Sequence, residues 1–452
     1  MQFEGGARVI VTKRLAGFLD ALGNSKIEAK LAEKLALHLF DALGVLVAGR
    51  QVADAGVIVG LAGEFGAAAP SGMLPEIGAM AAAIRCTEID DIHLLAGVTP
   101  SAAIVPVLLS LAGARPEISG VEFLRAYLGG LEVMIRFARA AGGPRLLQRG
   151  IWPSRLSAGM GAAAATAVLL GLSPDQKIHA LSIAGAMASG LSPRGAVPSS
   201  RWLIFGRAVE DGVLAARAAA RGLKGDPAIF DGQWHKATGI TFDSDLFIAD
   251  IDGVLLSENL GLKPWCAARQ TMAAILGFRR LLNEQGIDAQ SLTEVLVEVP
   301  EDYVEMISAQ NMPGTRPASF ANLRYLFGLA AFAPEGLGDV QRDDLRIDPR
   351  FEDLAKCVQI AGDAVLSQAY PARWPARVTA VTADGQRHVI DVPDVPGDAV
   401  QPLDWADVEA KCVTAAGVPI AALAPLKGAC RNLPETGSPA DLHAAVVAAL
   451  GV

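Results

Sequence analysis

The chain has 452 residues, 52% of them hydrophobic and 19% charged, so it is too long for one small core and too apolar to stay disordered. Its net charge of -9 excludes a broad nucleic-acid surface, which needs a basic stripe to displace counterions from phosphate. Any anionic ligand must be met by local basic residues.

Residues 1–13 lack a basic segment followed by an apolar core and a small-residue cleavage site, so no signal peptide is expected. The longest apolar runs, 102–114 and 157–172, fall short of the roughly 18 residues of a membrane span or are rich in glycine and alanine. A soluble, cytoplasmic protein without a membrane partner is the expectation. Cys86, Cys266, Cys357, Cys412 and Cys430 are scattered, with no C-x-x-C spacing, and read as reduced thiols. No H-x-x-x-H pair accompanies them, so no metal is expected.

Ser25-Lys26-Ile27-Glu28 has the form of a capping box, and Leu31, Leu35, Leu39, Ala42, Leu43 and Leu46 follow at helical spacing up to Gly49. Further helices are predicted from Pro75 to Cys86 and from Pro100 to Leu111. Between them lies Glu88-Ile89-Asp90-Asp91-Ile92-His93, three carboxylates and a histidine in one loop. Thr99 can cap the next helix and Pro100 fits its first turn, so the loop lies at a buried helix N-terminus, where an anion can be held. The plainer reading makes the acids helix caps and the histidine a satisfied polar contact.

Ser119-Gly120-Val121-Glu122 opens a helix through Arg136 that ends at Gly142-Gly143. Ser157 to Ala165 is nearly devoid of bulk and belongs at the centre of a helical bundle. Ser173-Pro174-Asp175 starts a helix to Ser189, and 200–221 forms another. No G-x-G-x-x-G or P-loop is present, which argues against dinucleotide or NTP binding, and no cofactor is expected.

The texture changes after Lys263-Pro264. A helix at 264–285 leads into a strand at 292–299; helices follow at 319–332 and 351–366; and 377–382 and 388–392 form a hairpin around Asp384-Gly385. The segments 402–416 and 439–450 are helical again. The expected fold is mainly α: a large helical domain from 1–263 and 399–452, with an inserted smaller α+β lid at 264–398.

The order of these segments resembles the MmgE/PrpD family, which includes 2-methylcitrate dehydratase, cis-aconitate decarboxylase and iminodisuccinate epimerase. Asp41 to Gly49 is similar to its D-x-x-G helix, and Glu88 to Pro106 to its D-F-D-D-T-x(n)-H-P-S-A-x-x-x-P stretch. Gly150 to Ala165 resembles H-P-T-G-T and the alanine-rich helix after it. Arg201 to Ala208 resembles K-R-L-H-x-G-R-A, Lys263 to Arg269 resembles K-P-Y-P-C-C-R, and Ser319 to Tyr325 resembles A-x-x-S-x-x-Y. The resemblance implies a helical domain from both chain ends, a smaller lid, an active site between them and a homodimer. Thr99, Trp152 and Ile204 stand where the family motifs carry histidines, and Arg201 stands for a lysine.

Lys263 can bind a carboxylate or, if desolvated, act as a base. Asp90 and Asp91 can hold Lys263 or His93, accept a substrate proton, or simply cap a helix. His93 is a candidate acid/base, and Tyr325 can donate to an enolate oxygen. Arg269, Arg201 and Arg155 are candidate carboxylate clamps, because a planar guanidinium offers two parallel hydrogen bonds. Thr99 and Trp152 are expected to contact substrate, with Trp152 narrowing the pocket. Together these imply a cofactor-free epimerase or lyase that removes a proton α to a carboxylate of a small di- or tricarboxylate, closest to iminodisuccinate epimerase. The alternatives are a 2-methylcitrate dehydratase-like hydro-lyase and a non-catalytic carboxylate-binding protein.

Overall fold

The computed structural model describes residues 10–68, 73–113, 115, 117–191 and 198–451. Most of the segment read for a signal peptide, residues 1–9, lies outside them. The chain opens with α1 (Val11–Asn24) and α2 (Ala29–Gly49). The capping box expected at Ser25 does not form. Ser25 ends α1 with its hydroxyl donating to Leu22 O at 3.0 Å, and α2 begins only after Glu28, which provides no side-chain cap. A capping-box pattern starts no helix when the preceding helix claims its serine.

Next come α3 (Ala53–Ala68), α4 (Met73–Arg85), the two-residue strand β1 (Asp91–Ile92), α5 (Ser101–Gly113) and α6 (Gly120–Ala140). At α6 the expected box is present: Ser119 Oγ accepts from Glu122 N, and the Glu122 carboxylate accepts from Ser119 N. The helix runs one turn past Arg136 and stops at Gly142, in left-handed conformation with φ 115°. Then follow α7 (Pro153–Leu169), α8 (Pro174–Met187), α9 (Ser200–Ala220), the short α10 (Trp234–Thr238) and α11 (Ser244–Ile248), and the strand β2 (Gly261–Leu262).

The alanine-rich α7 is buried between α6, α9, α5 and α8, as its lack of bulk predicts. Its crossing with α9 is backbone against backbone. A Cβ on Gly212 would stand 2.2 Å from Gly159 O, and one on Gly206 would stand 2.3 Å from Gly78 O in α4. Close approach of this kind replaces side-chain interdigitation with dense dispersion contact along the helix axes.

Beyond β2 the chain forms α12 (Arg269–Glu284), β3 (Leu292–Val299), α13 (Val304–Ile307), α14 (Arg316–Ser319), α15 (Leu323–Phe332), α16 (Pro349–Cys357), β4 (Val358–Gly362), α17 (Ala364–Ser367), β5 (Ala376–Thr382) and β6 (Arg387–Val392). It ends in α18 (Trp405–Ala416), α19 (Ile420–Asn432) and α20 (Pro439–Leu450). The strands form one sheet in the order β4-β3-β5-β6, with β4 parallel to β3 and the other pairs antiparallel. The helix expected over 351–366 is therefore wrong in its second half. It stops at Cys357, and Val358-Gln359-Ile360-Ala361-Gly362 pairs with the edge of β3, a tertiary partner that outweighs local propensity.

The protein is mainly α, with small β parts. One buried apolar cluster joins α1–α9 to the returning helices α18–α20 and also takes in Phe320 and Val340. A second is built from α12, α15, the four-stranded sheet and Trp374. No single described helix is long and apolar enough to cross a membrane.

Candidate active site

β1 and β2 pair antiparallel, Asp91 opposite Leu262 and Ile92 opposite Gly261. The pairing requires glycine at 261, because a Cβ there would stand 2.5 Å from Gly397 O, the carbonyl that accepts from Leu262 N at 2.8 Å. This splice brings Lys263 beside the acidic loop that follows α4. Lys263 Nζ donates to Asp90 Oδ1 at 2.8 Å, and to Glu88 Oε2 and Glu88 O at 3.3 Å each. Arg85, in the last turn of α4, reaches Glu88 Oε2 at 3.1 Å and Asp90 Oδ1 at 3.4 Å. All four side chains are buried, that of Lys263 to 2% exposure. Glu88 holds a left-handed backbone, φ 55°, which costs a non-glycine residue about 1 kcal/mol and turns its carboxylate back onto Arg85 and Lys263.

Arg201, in the first turn of α9, completes the group. Its guanidinium lies over Trp152 at 4.3 Å and Trp202 at 4.7 Å, while that of Arg85 lies over the same rings at 5.2 and 5.6 Å. Burial lowers the Arg201 guanidinium to about 10, countered by the charge of Glu88, so it stays a cation at neutral pH. Burial alone would raise the Glu88 carboxyl, but Arg85, Lys263 and Arg201 hold it well below the usual carboxylate range. Three cations thus surround two carboxylates. Among the described residues the buried atoms Arg85 Nε, Arg201 Nε and Asp90 Oδ2 have no hydrogen-bond partner. An excess positive charge with unfilled donors at a buried point suits an anionic ligand.

The other sequence candidates divide around this cluster. Successive side chains of a strand point to opposite faces, and Asp91 accordingly turns away from Lys263. Its Oδ2 accepts from Ser101 N at 3.0 Å and from Ser101 Oγ, which also meets the Tyr127 hydroxyl. Asp91, and not Thr99, therefore satisfies the N-terminus of α5. Burial, reinforced by the charge of Asp90, raises its carboxyl to about 8 against the opposing Ser101 hydrogen bonds. Thr99 instead donates its amide to Ser154 Oγ at 3.3 Å, beside Trp152.

His93 does not face the cluster chemically. Its Nδ1 accepts from Ala96 N at 3.3 Å and its Nε2 lies 3.1 Å from Leu256 O, so the ring is spent on backbone, and burial lowers it to about 4. Tyr325 donates to Leu345 O at 2.8 Å inside the second apolar cluster. Asp398 takes Nε and Nη2 of Arg269, at 3.2 and 2.5 Å, which pins the loop carrying Gly397 against β2 and leaves the buried Nη1 without a partner among the described residues. Arg155 donates to Leu191 O and lines a surface cleft with Ile204, Arg207 and Asp211. That cleft is more open than the surroundings of Lys263, yet the charges converge on Lys263, and convergence of reactive groups identifies a site better than openness.

Two members escaped sequence reasoning as site residues. Glu88 was visible as the first acid of the loop. Arg85 resembles any basic residue in a helix's last turn, and only its spacing of three from Glu88 hints at the pair. Among the described residues no group of three or more His, Cys, Asp or Glu could hold a metal ion.

Residues 13–246 match the MmgE/PrpD N-terminal domain, and residues 265–421 match the MmgE/PrpD C-terminal domain. A cis-aconitate decarboxylase-like protein of Aspergillus oryzae is 31% identical over 154 residues, 33% of this chain and 32% of that protein. Cis-aconitate decarboxylase of Homo sapiens is 34% identical over 135 residues, 29% of this chain and 28% of that protein. The Aspergillus terreus enzyme of the same name is 28% identical over 201 residues, 42% of this chain and 41% of its own length. The matches thus span less than half of each of these relatives, which are named for a lyase reaction and not for epimerisation. With both halves of the fold accounted for by adjoining domain matches, the chain belongs to the MmgE/PrpD family.

Proposed function

We propose that the protein is a lyase that decarboxylates a small unsaturated di- or tricarboxylate of the cis-aconitate type, with Lys263 as proton donor. The observation that carries this is the hydrogen bonding of Lys263. Its nitrogen has three oxygen acceptors within 3.3 Å, and only the ammonium form has three protons to give them. In the ammonium form the group carries a proton that it can give and has no lone pair with which to abstract one.

In this scheme Arg201 and Arg85 bind the carboxylates that are kept. The bond to the departing carboxylate breaks, carbon dioxide leaves, and the electron pair remains on carbon, spread into the conjugated carboxylate. That carbon takes a proton from Lys263 Nζ, and the amine regains one from water. Asp90 and Glu88 hold the ammonium in place between turnovers. Epimerisation instead needs proton carriers on both faces of one carbon, and His93 and Tyr325, which would supply the second, are spent on backbone groups. The names of the relatives agree with the lyase reading.

The test is incubation with cis-aconitate and a panel of related carboxylates in deuterated water, following carbon dioxide release and product NMR. One deuterium at the new C–H position is expected. Epimerisation or hydration without carbon dioxide would replace the lyase reading, and carboxylate binding with no turnover on any substrate would favour a non-catalytic role.

A further inference from the structure

Two guanidinium clamps outside the charged cluster hold the backbone of both segments that build it. Arg316, first residue of α14, donates through Nε to Val340 O at 2.7 Å and through Nη2 to Cys86 O at 2.6 Å. Arg342 donates through Nη1 to Ser319 Oγ at 3.0 Å, and through Nη2 to Cys266 O at 2.8 Å and Gly336 O at 3.0 Å. Cys86 lies between Arg85 and Glu88, and Cys266 lies three residues after Lys263. Phe320 sits under both guanidiniums, at 4.9 and 5.8 Å. Cys266 closes the link by donating its thiol to Thr87 O at 2.7 Å.

Neither arginine has an ion pair among the described residues, although Arg342 is 1% exposed and Arg316 9%. Burying a guanidinium against neutral acceptors alone is costly, and Arg342 additionally holds a left-handed φ of 41°. An apolar residue would fill the same space at lower cost, so the cost points to a requirement for position.

We propose that Arg316 and Arg342 are positioning residues that fix the distance between Lys263 and the Glu88–Asp90 pair, acting through the carbonyls of Cys86 and Cys266. Each planar fork spans two acceptors on different segments, which sets a separation as well as a contact; a lysine carries the charge but cannot span them. The catalytic part of this inference rests on the lyase reading, and the positional part does not.

The experiment compares Arg342→Lys, Arg342→Met and Arg316→Lys with the unaltered protein. Labelling of Cys86 and Cys266 by a thiol reagent, located by mass spectrometry on native protein, reads position without any substrate. In the variants the two thiols should label at least about tenfold faster, while circular dichroism and the labelling of Cys412 and Cys430 stay unchanged. On the substrate found by the carboxylate panel, kcat should fall by about 10- to 100-fold with KM nearly constant, the scale of a small misplacement of reacting groups. The pH profile of kcat should also shift in both lysine variants, because the Lys263–Asp90 contact loosens. Unchanged thiol labelling in all folded variants overturns the positional claim. Faster labelling with unchanged kcat and pH profile overturns the catalytic claim. If no carboxylate is turned over by the unaltered protein, the lyase reading fails while the labelling result still decides the positional one. Should Arg342→Met not fold, Arg316→Lys, which keeps the charge, carries the same comparison.

Discussion

Where α9 crosses α7 and α4, glycines let backbone meet backbone; where the loop after α4 meets the segment after β2, charged side chains fill the contact. The first contact is set by Gly212 against Gly159 O and Gly206 against Gly78 O. The second is set by Arg85, Glu88, Asp90 and Lys263, linked within 3.4 Å. Both are buried and both join segments distant in sequence. The helix crossing is governed by volume, since an added methyl has nowhere to go. The charged seam is governed by balance, since each group is tolerable only while its partners remain. One region therefore specifies the frame, and the other stores electrostatic free energy that a ligand can redirect.

This contrast is sharpest at Lys263. Lys263→Met should lower turnover by at least about 10²-fold, the usual scale for a proton-transfer residue, while Arg85 remains to pair both carboxylates and keep the chain folded. Kinetics alongside circular dichroism checks both halves; a variant that unfolds but, once stabilised, turns over normally would dissolve the distinction. Gly212→Val is the mirror test. It should destabilise by about 3 kcal/mol or more, because the obstacle is backbone oxygen and cannot rotate aside. Denaturant unfolding of the variant measures this, and a value near zero would show that the crossing is looser than its geometry.

Trp152→Leu should have a middling effect, removing the ring beneath Arg201 and costing about 1–2 kcal/mol of stacking. A rise in KM with little change in kcat is expected, and the reverse pattern would move Arg201 from binding to chemistry. A further test concerns Asp91 and pH. Its carboxyl is raised to about 8 in the folded chain, whereas the unfolded chain loses the proton near pH 4, or about 4 units lower. The folded state is thus favoured fully below about pH 4 and progressively less as pH rises to about 8. Asp91→Asn should flatten that decline in thermal melts between pH 5 and 9, and an unchanged slope would assign the decline to another group.

Much of the frame was legible because it follows local rules. The serine box at Ser119, the helix start at Ser173, the bulk-free helix at 157–165 and the Asp384-Gly385 hairpin all appear where the residues place them. β4 was hidden because Val358 to Gly362 becomes a strand only against β3, a partner some sixty residues away. In the site, a contact between Lys263 and Asp90 was among the readings the sequence offered, whereas the stacking of Arg201 on Trp152 was not. The fates of His93, Tyr325 and Arg269 were not legible either, since whether a polar side chain faces a ligand or a carbonyl is decided by three-dimensional neighbours such as Leu256, Leu345 and Asp398.

The ion pair between Lys411 of α18 and Asp41 of α2, 2.6 Å long and buried, spans almost the whole chain, and Cys412 packs against Gly44 beside it. During synthesis, α2 leaves the ribosome long before its partner exists. At the usual 5–20 residues per second the wait is on the order of 20–75 s, during which the apolar face of α2 has no final cover and Asp41 no counter-charge. The amino-terminal helices therefore need protection until α18 has been made, and a chain ending before Lys411 would leave α2 uncovered and prone to aggregate.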